Sequence, residues 1–467
     1  MSSASATVSS SAPVPAAPAP QPFPRVFWSA NVTELFERAA YYSMASFVVI
    51  YLGQLGLGNY WPSTLNSLLW GLVYFLPILS GTLADQIGFR RALIGACVLL
   101  AAGYFLMGWP VWVGGAAMSD TVTDEVVAGV DVILPLVIGV VLIGIGGSVV
   151  KPCISGTVQK SAGARATLAF AIFYMVINIG SLVGRAVAFF VRRQSTLSVI
   201  FAVAMVATLG ALVTVLFVYR EPERAAASAR KPLGRILLDM VLVLRNGRFA
   251  LFLLVSSGFW FLYTQVYNVL PLYVKRVVES SPAMDLYTAA NPFVIVTCQL
   301  LVTRYFGKMR PIRSIVVGTI VIGLSMVINL VPLYATGGVR SLALALPLGS
   351  LFIILTVALI AFGELFTSAR MYEWIGALAP KGQEGLFLGY ANLPVAIGSL
   401  IGGPVGAAIF NEIMCKGALK RADGLLELEP GAAANGWLLL MAIGLASAAS
   451  MWLYNRWLER HPAVAAS

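Results

Sequence analysis

Leu253-Leu-Val-Ser-Ser-Gly-Phe-Trp-Phe-Leu-Tyr-Thr-Gln-Val-Tyr-Asn-Val-Leu-Pro-Leu272 carries no charged residue from end to end. At about 1.5 Å of rise per residue, a helix of that length covers about 30 Å, the thickness of the hydrocarbon core of a bilayer. Similar stretches recur along the chain, whose 467 residues are 59% hydrophobic and 11% charged with a mean hydropathy of +0.86. That balance excludes a water-soluble protein, and the strands of a membrane barrel would be short segments alternating apolar and polar positions. The fold class that follows is an all-α membrane protein.

Twelve transmembrane helices are expected, at roughly 27–53, 64–84, 91–109, 132–157, 167–189, 197–219, 249–274, 286–306, 312–334, 342–370, 385–410 and 435–457. Residues 1–25, dominated by Ser, Ala and Pro, lack the basic and apolar regions of a signal peptide and read as a disordered cytoplasmic tail. The longest basic connection, 220–248, divides six spans from six, so the expected organisation is a six-helix bundle over 26–219, a cytoplasmic linker over 220–248, a second bundle over 249–458 and a tail over 459–467. Corresponding spans recur at matched intervals in the two halves, and the inner turn at Arg90 and Arg91 has a basic counterpart at Lys308 to Arg313. Such weak duplication is typical of transporters.

The net charge of +11 reports topology and not nucleic-acid binding. With the N-terminus inside, most Lys and Arg residues fall in inner segments, so the positive-inside rule places both termini in the cytoplasm. The expected location is the inner (plasma) membrane. Cys97, Cys153, Cys298 and Cys415 are scattered, and the single histidine, His461, lies in the tail. Neither a metal site, a cofactor nor a hydrolytic triad is expected, and the chain does not read as an enzyme.

Span one contains Glu34-Leu-Phe-Glu37-Arg38-Ala-Ala-Tyr41-Tyr42, in which positions 34, 37, 38 and 41 share one helix face. Counted from residue 27 at about 1.5 Å per residue, Glu34 lies about 10 Å and Arg38 about 16 Å along the helix, inside the bilayer. An ionised side chain there costs about 2.5–3.5 kcal/mol, so the three need partners or an aqueous cavity. One arginine cannot neutralise two carboxylates, which leaves one of them able to bind a proton; the alternative is a Glu34–Arg38 pair that only fixes packing. Lys151, deep in the inner half of span four, must face a cavity or an acid unless it snorkels. Glu364 occupies the corresponding span of the second half, so Lys151 and Arg38 suit a carboxylate and Glu364 an ammonium of one zwitterion, the alternative being a direct ion pair. Asn178 and Asn291 can bond ligand or backbone, Tyr41, Tyr42 and Tyr74 are cavity-wall candidates, and Arg185 reads as an interfacial anchor. The run Gly398-Ser-Leu-Ile-Gly402-Gly-Pro-Val-Gly406 permits close helix packing.

The turn Gly81-Thr-Leu-Ala-Asp85-Gln-Ile-Gly88-Phe-Arg90-Arg91 resembles the GxLADrxGRR loop of the major facilitator superfamily. The ExxER-YY stretch of span one resembles the proton-dependent oligopeptide transporter family within it. Gly146-Gly147-Ser-Val-Val-Lys151-Pro152, Phe170-Ala-Ile-Phe173-Tyr174-Met-Val-Ile-Asn178-Ile-Gly180, Asn291-Pro292-Phe293-Val-Ile295 and Gly363-Glu364 with Ala379-Pro380-Lys381 are similar to its motifs in spans four, five, eight and ten, in the right order. The resemblance implies the major facilitator fold, with two pseudo-symmetric six-helix bundles. It implies a proton-coupled symporter importing di- and tripeptides or similar zwitterions by alternating access. Glu34, Glu37 and Arg38 would couple protons. Arg38, Tyr41, Tyr42, Tyr74, Lys151, Asn178, Thr264, Asn291 and Glu364 would bind substrate, and Gly81, Asp85, Gly88, Arg90 and Arg91 would form the gating motif. The implied partners are the peptide, protons and lipid, with the protein a monomer.

Two positions depart from that family. Thr264 stands where an acid is usual in span seven, and Ala45 where span one commonly has a second arginine. Together they read as a deleted salt bridge, and they keep open a different cargo, an organic anion or a drug-like amphiphile, with altered or no proton coupling. The connection 220–248 is also too short for the two extra helices that bacterial members often insert.

Overall fold

The computed structural model describes residues 22–120, 123–221, 233–378 and 390–461. Among the described residues, ten helices are long and apolar enough to cross a membrane, and eleven when the bent pair Trp61–Phe75 and Pro77–Ile87 is one span. These fall on the segments expected for spans two to twelve: the bent pair, Phe89–Trp112, Val130–Ala162, Leu168–Arg192, Val199–Phe217, Gly247–Val278, Met284–Phe306, Pro311–Tyr334, Leu348–Leu378, Tyr390–Met414 and Pro430–Arg460. Expected span one is the helix Arg25–Met44 continued by Val48–Gln54, and Glu34, Glu37 and Arg38 set it apart from the purely apolar helices. Span two bends by 47° before Pro77, which has no backbone N–H to continue the ladder.

Packing follows the halves. Span one lies against spans five and six, and span three against four and six; in the second half, span nine packs on ten and twelve, and span seven on eleven and twelve. Span two crosses to span eleven. Glycines set the closest approaches: a Cβ on Gly180 or Gly184 would run into Leu35, Arg38 and Ala39 of span one. A Cβ on Gly398 would meet the backbone of span seven, and one on Gly403 would meet Ser63 and Ser67 of span two. The glycine run of span eleven therefore serves both neighbours, as its spacing suggests.

Two features differ from the sequence reading. Part of the connection between the halves, Leu233–Leu244, is a helix, about 18 Å long at the standard rise and too short to span; residues 222–232 lie outside the described residues. Span ten runs on to Leu378, eight residues beyond its expected end, while the Ala379-Pro380-Lys381 motif lies outside the described residues.

At the end of the bundle remote from Arg90 and Arg91, the halves are tied together. Arg276 donates to Asn59 Oδ1 at 2.6 Å, Asp124 at 2.9 Å and Asn411 Oδ1 at 3.1 Å. Tyr60 donates to Glu412 at 2.9 Å, Asn66 to the Tyr267 carbonyl at 2.9 Å, and Arg192 grips Asp285 with two bonds of 2.8 and 3.1 Å.

Candidate functional site

The first turns of span one lie between its neighbours, so the face carrying the charges points inward: Glu34, Glu37 and Arg38 are 0%, 1% and 7% exposed. Arg38 Nε lies 2.5 Å from Glu37 Oε2 and 3.4 Å from Glu34 Oε1. Among the described residues, neither oxygen of Glu34 accepts a hydrogen bond, and Glu37 Oε1 also has none. The tight partner of the guanidinium is thus Glu37, and Glu34 is the surplus carboxylate. Arg38 also lies 5.4 Å from the ring centroid of Tyr41.

Lys151 is half-buried in span four and close enough to act electrostatically on Glu34 on one side and Glu364 on the other. It forms no ion pair among the described residues, so the direct Lys151–Glu364 pair weighed from the sequence is not made. Glu364 is instead held by neutral donors: Asn291 Nδ2 at 3.2 Å and Ser368 Oγ at 3.4 Å. A wall of rings stands between these charges. Trp70 stacks on Tyr74 at 5.5 Å and meets Tyr267 at 4.8 Å and Tyr41 at 5.9 Å, and Tyr41 meets Tyr42 at 5.4 Å. Cations from the first half and an anion from the second therefore flank one cluster of packed rings.

Other expected residues sit apart from that cluster. Thr264 is buried against Gly402, with its hydroxyl donating to the Phe261 carbonyl at 2.9 Å. Asn178 is half-buried and donates to the Tyr174 carbonyl of its own helix at 2.9 Å. In the turn motif, Gly88 at φ 97° breaks the helix, a conformation that favours glycine. Gly81 packs on Pro152 of span four. The amides of Phe89 and Arg90, at the start of span three, donate to Glu221 at 2.8 and 2.9 Å, so the carboxylate capping that helix is Glu221 and not Asp85, which is exposed. Arg90 reaches the last carbonyls of span six, Leu216 at 2.7 Å and Val215 at 3.4 Å, while Arg91 is exposed.

Arg185 corrects the sequence reading. It is not an interfacial anchor but 1% exposed, because three neutral groups and a ring enclose it. Nε donates to Thr288 Oγ1 at 3.1 Å, Nη2 to the Tyr267 hydroxyl at 3.3 Å, and Nη1 to the Ser181 hydroxyl, with the Tyr42 ring 4.5 Å away. Tyr263, Tyr267, Trp70 and Ser368 were likewise not singled out. Helical spacing of Tyr267 from Thr264, Trp70 from Tyr74 and Ser368 from Glu364 is the available signal, and Tyr263, next to Thr264, carries none.

Two sets of membrane-spanning helices packed around buried charges are the architecture of a membrane transporter. The chain belongs to the major facilitator superfamily, whose family model matches residues 61–337. It is 25% identical to the dipeptide and tripeptide permease A of Citrobacter koseri over 82% of this chain and 83% of that protein, and 24% identical to that of Escherichia coli K12 over 82% and 84%. The fold matches a crystal structure of the peptide transporter POT in complex with sulfate (TM-score 0.71, 18% identity, 94% of this chain and 95% of that one). It also matches that of a POT family transporter in complex with 5-aminolevulinic acid (TM-score 0.71, 19% identity, 93% and 97%). The expected resemblance to the proton-dependent oligopeptide transporters is borne out by these relatives.

Proposed function

We propose that this chain is a proton-coupled symporter that imports di- and tripeptides or similar small zwitterions by alternating access. The observation carrying this reading is the opposition of Arg38 and Lys151 to Glu364 about a cluster of rings, with Glu34 left over beside an arginine already engaged by Glu37. Arg38 and Lys151 receive the cargo carboxylate and Glu364, steadied by Asn291, its ammonium. A proton on Glu34 removes the charge that competes for Arg38, so proton and cargo each favour the other's binding. The names of the permease relatives support the cargo class, and the 5-aminolevulinic acid complex of a structural neighbour supports a cleft shaped for a carboxylate and an ammonium.

In this reading the bundles 26–219 and 249–458 rock about the cleft, joined through 220–248, and the tied end remote from Arg90 faces outside. The protein is a monomer in the inner membrane with both termini in the cytoplasm, binding its cargo without breaking bonds. A cysteine near Asp124 then labels from outside, whereas cysteines near Arg230 and Lys381 label only from the cytoplasm. A second reading, a cargo with a different charge pattern, is favoured by one observation: span seven offers Thr264, buried on Gly402, in place of an acid. Uptake into proteoliposomes under an acid-outside gradient, with dipeptides, tripeptides and organic anions compared, decides between them: peptide accumulation supports the first reading, and anion uptake without peptide uptake the second.

A further inference from the structure

Arg185 presents a charge that its surroundings do not answer. It is 1% exposed, and its hydrogen-bond partners are a backbone carbonyl and the hydroxyls of Ser181, Thr288 and Tyr267. A glutamine could bond such neutral groups, whereas burying a guanidinium without a counter-ion carries a large desolvation penalty. Among the described residues, the buried and half-buried carboxylates of this region are committed elsewhere. Glu37 and Glu34 flank Arg38, Asp285 is gripped by Arg192, and Glu364 is held by Asn291 and Ser368.

Its position gives the charge a use. Arg192, seven residues along the same helix and so on the same face, lines a cavity of about 300 Å³ at the tied end together with Lys275 and Asp120. Inward of Arg185, Tyr42 and Tyr267 connect it to the ring wall around Arg38. Two of its partners, Thr288 and Tyr267, belong to the second half, so parting the halves at this end frees Nε and Nη2 toward whatever enters. We propose that Arg185 is a specificity-determining residue on this path, a carboxylate receptor that favours cargo bearing one extra negative charge, such as a dipeptide with an Asp or Glu side chain. The inference rests on the transport reading above. It also closes the charge count: with a proton on Glu34, the cations Arg38, Lys151 and Arg185 exceed the anions Glu37 and Glu364 by one, and an acidic dipeptide makes the loaded cleft neutral.

The test is the ratio of Ala-Glu to Ala-Ala uptake in proteoliposomes, with Ala-Lys as the opposite charge. The wild-type ratio is expected at about ten, falling about tenfold in Arg185→Gln, the effect of losing one charge-assisted bond, and staying within about threefold in Arg185→Lys. A wild-type ratio near one overturns the inference whether or not the variants fold, as does an unchanged ratio in Arg185→Gln. If the wild type transports no peptide, the transport reading fails separately, and thermal unfolding of the purified protein with glutarate then decides. Stabilisation that is lost in Arg185→Gln upholds the carboxylate receptor; no stabilisation, or equal stabilisation of both proteins, refutes it.

Discussion

Glu34 and Glu37 share one guanidinium unequally, at 3.4 and 2.5 Å, and this inequality separates their roles. Glu34→Gln removes the surplus carboxylate while Arg38 keeps its tight partner. Exchange of cargo without a gradient is therefore expected to survive, and accumulation driven by external acid to be lost, in counterflow and gradient-driven uptake respectively. Glu37→Gln instead leaves a buried guanidinium without its close partner, a change worth about 3–5 kcal/mol, so a fall in thermal unfolding temperature in detergent should accompany loss of transport. Lys151→Ala, which breaks no ion pair among the described residues, should insert and unfold like wild type while uptake drops more than about tenfold, the scale of one lost charged contact. The sequence exposed the charged face of span one because spacing by three and four is a backbone property. It left open which glutamate holds Arg38, since the long Arg side chain reaches a neighbour one or four positions away. For Arg185 it misled: a charge in an apolar run snorkels or is buried according to what stands opposite it, and Thr288 and Tyr267 lie far away in the chain.

Span five meets span one through Gly180 and Gly184, and this contact sets where Arg38 sits. A side chain at Gly184 would collide with the Ala39 backbone, so Gly184→Leu is expected to prevent folding or lower the unfolding temperature sharply. Gly95→Leu in span three, where a Cβ would meet nothing within 4 Å, should leave it nearly unchanged; both are read by fluorescence-detected size exclusion after heating. Helix positions were legible throughout because lipid demands long apolar segments with satisfied backbones. The helix Leu233–Leu244 was not, since the Ala- and Pro-rich composition of the whole connection masked it. Nor was the capping of span three by Glu221, a contact between residues far apart in sequence.

Across the whole molecule, the tied end is the feature a transport cycle must undo. Arg276 is its hub, bonding Asn59, Asp124 and Asn411, so Arg276→Ala should loosen it; spin labels at Ser195 and Ser280 are expected to show a broader, longer distance distribution than in wild type. The bond from Asn59 and the nearby Arg276 charge hold the Asp124 carboxyl below its ordinary range. Its contribution to the tie is therefore present above the ordinary value of about 3.9 and is lost only as pH falls through the lowered one. External pH 5 should leave the same distance distribution unchanged, which removes this tie as the proton sensor and returns coupling to the cleft. The most direct measurement reverses the linkage: a dipeptide is added outside proteoliposomes with no imposed gradient, and internal pH is followed with a trapped dye. Internal acidification that requires the peptide and disappears in Glu34→Gln is expected. Peptide uptake with no pH change in wild type would contradict proton coupling.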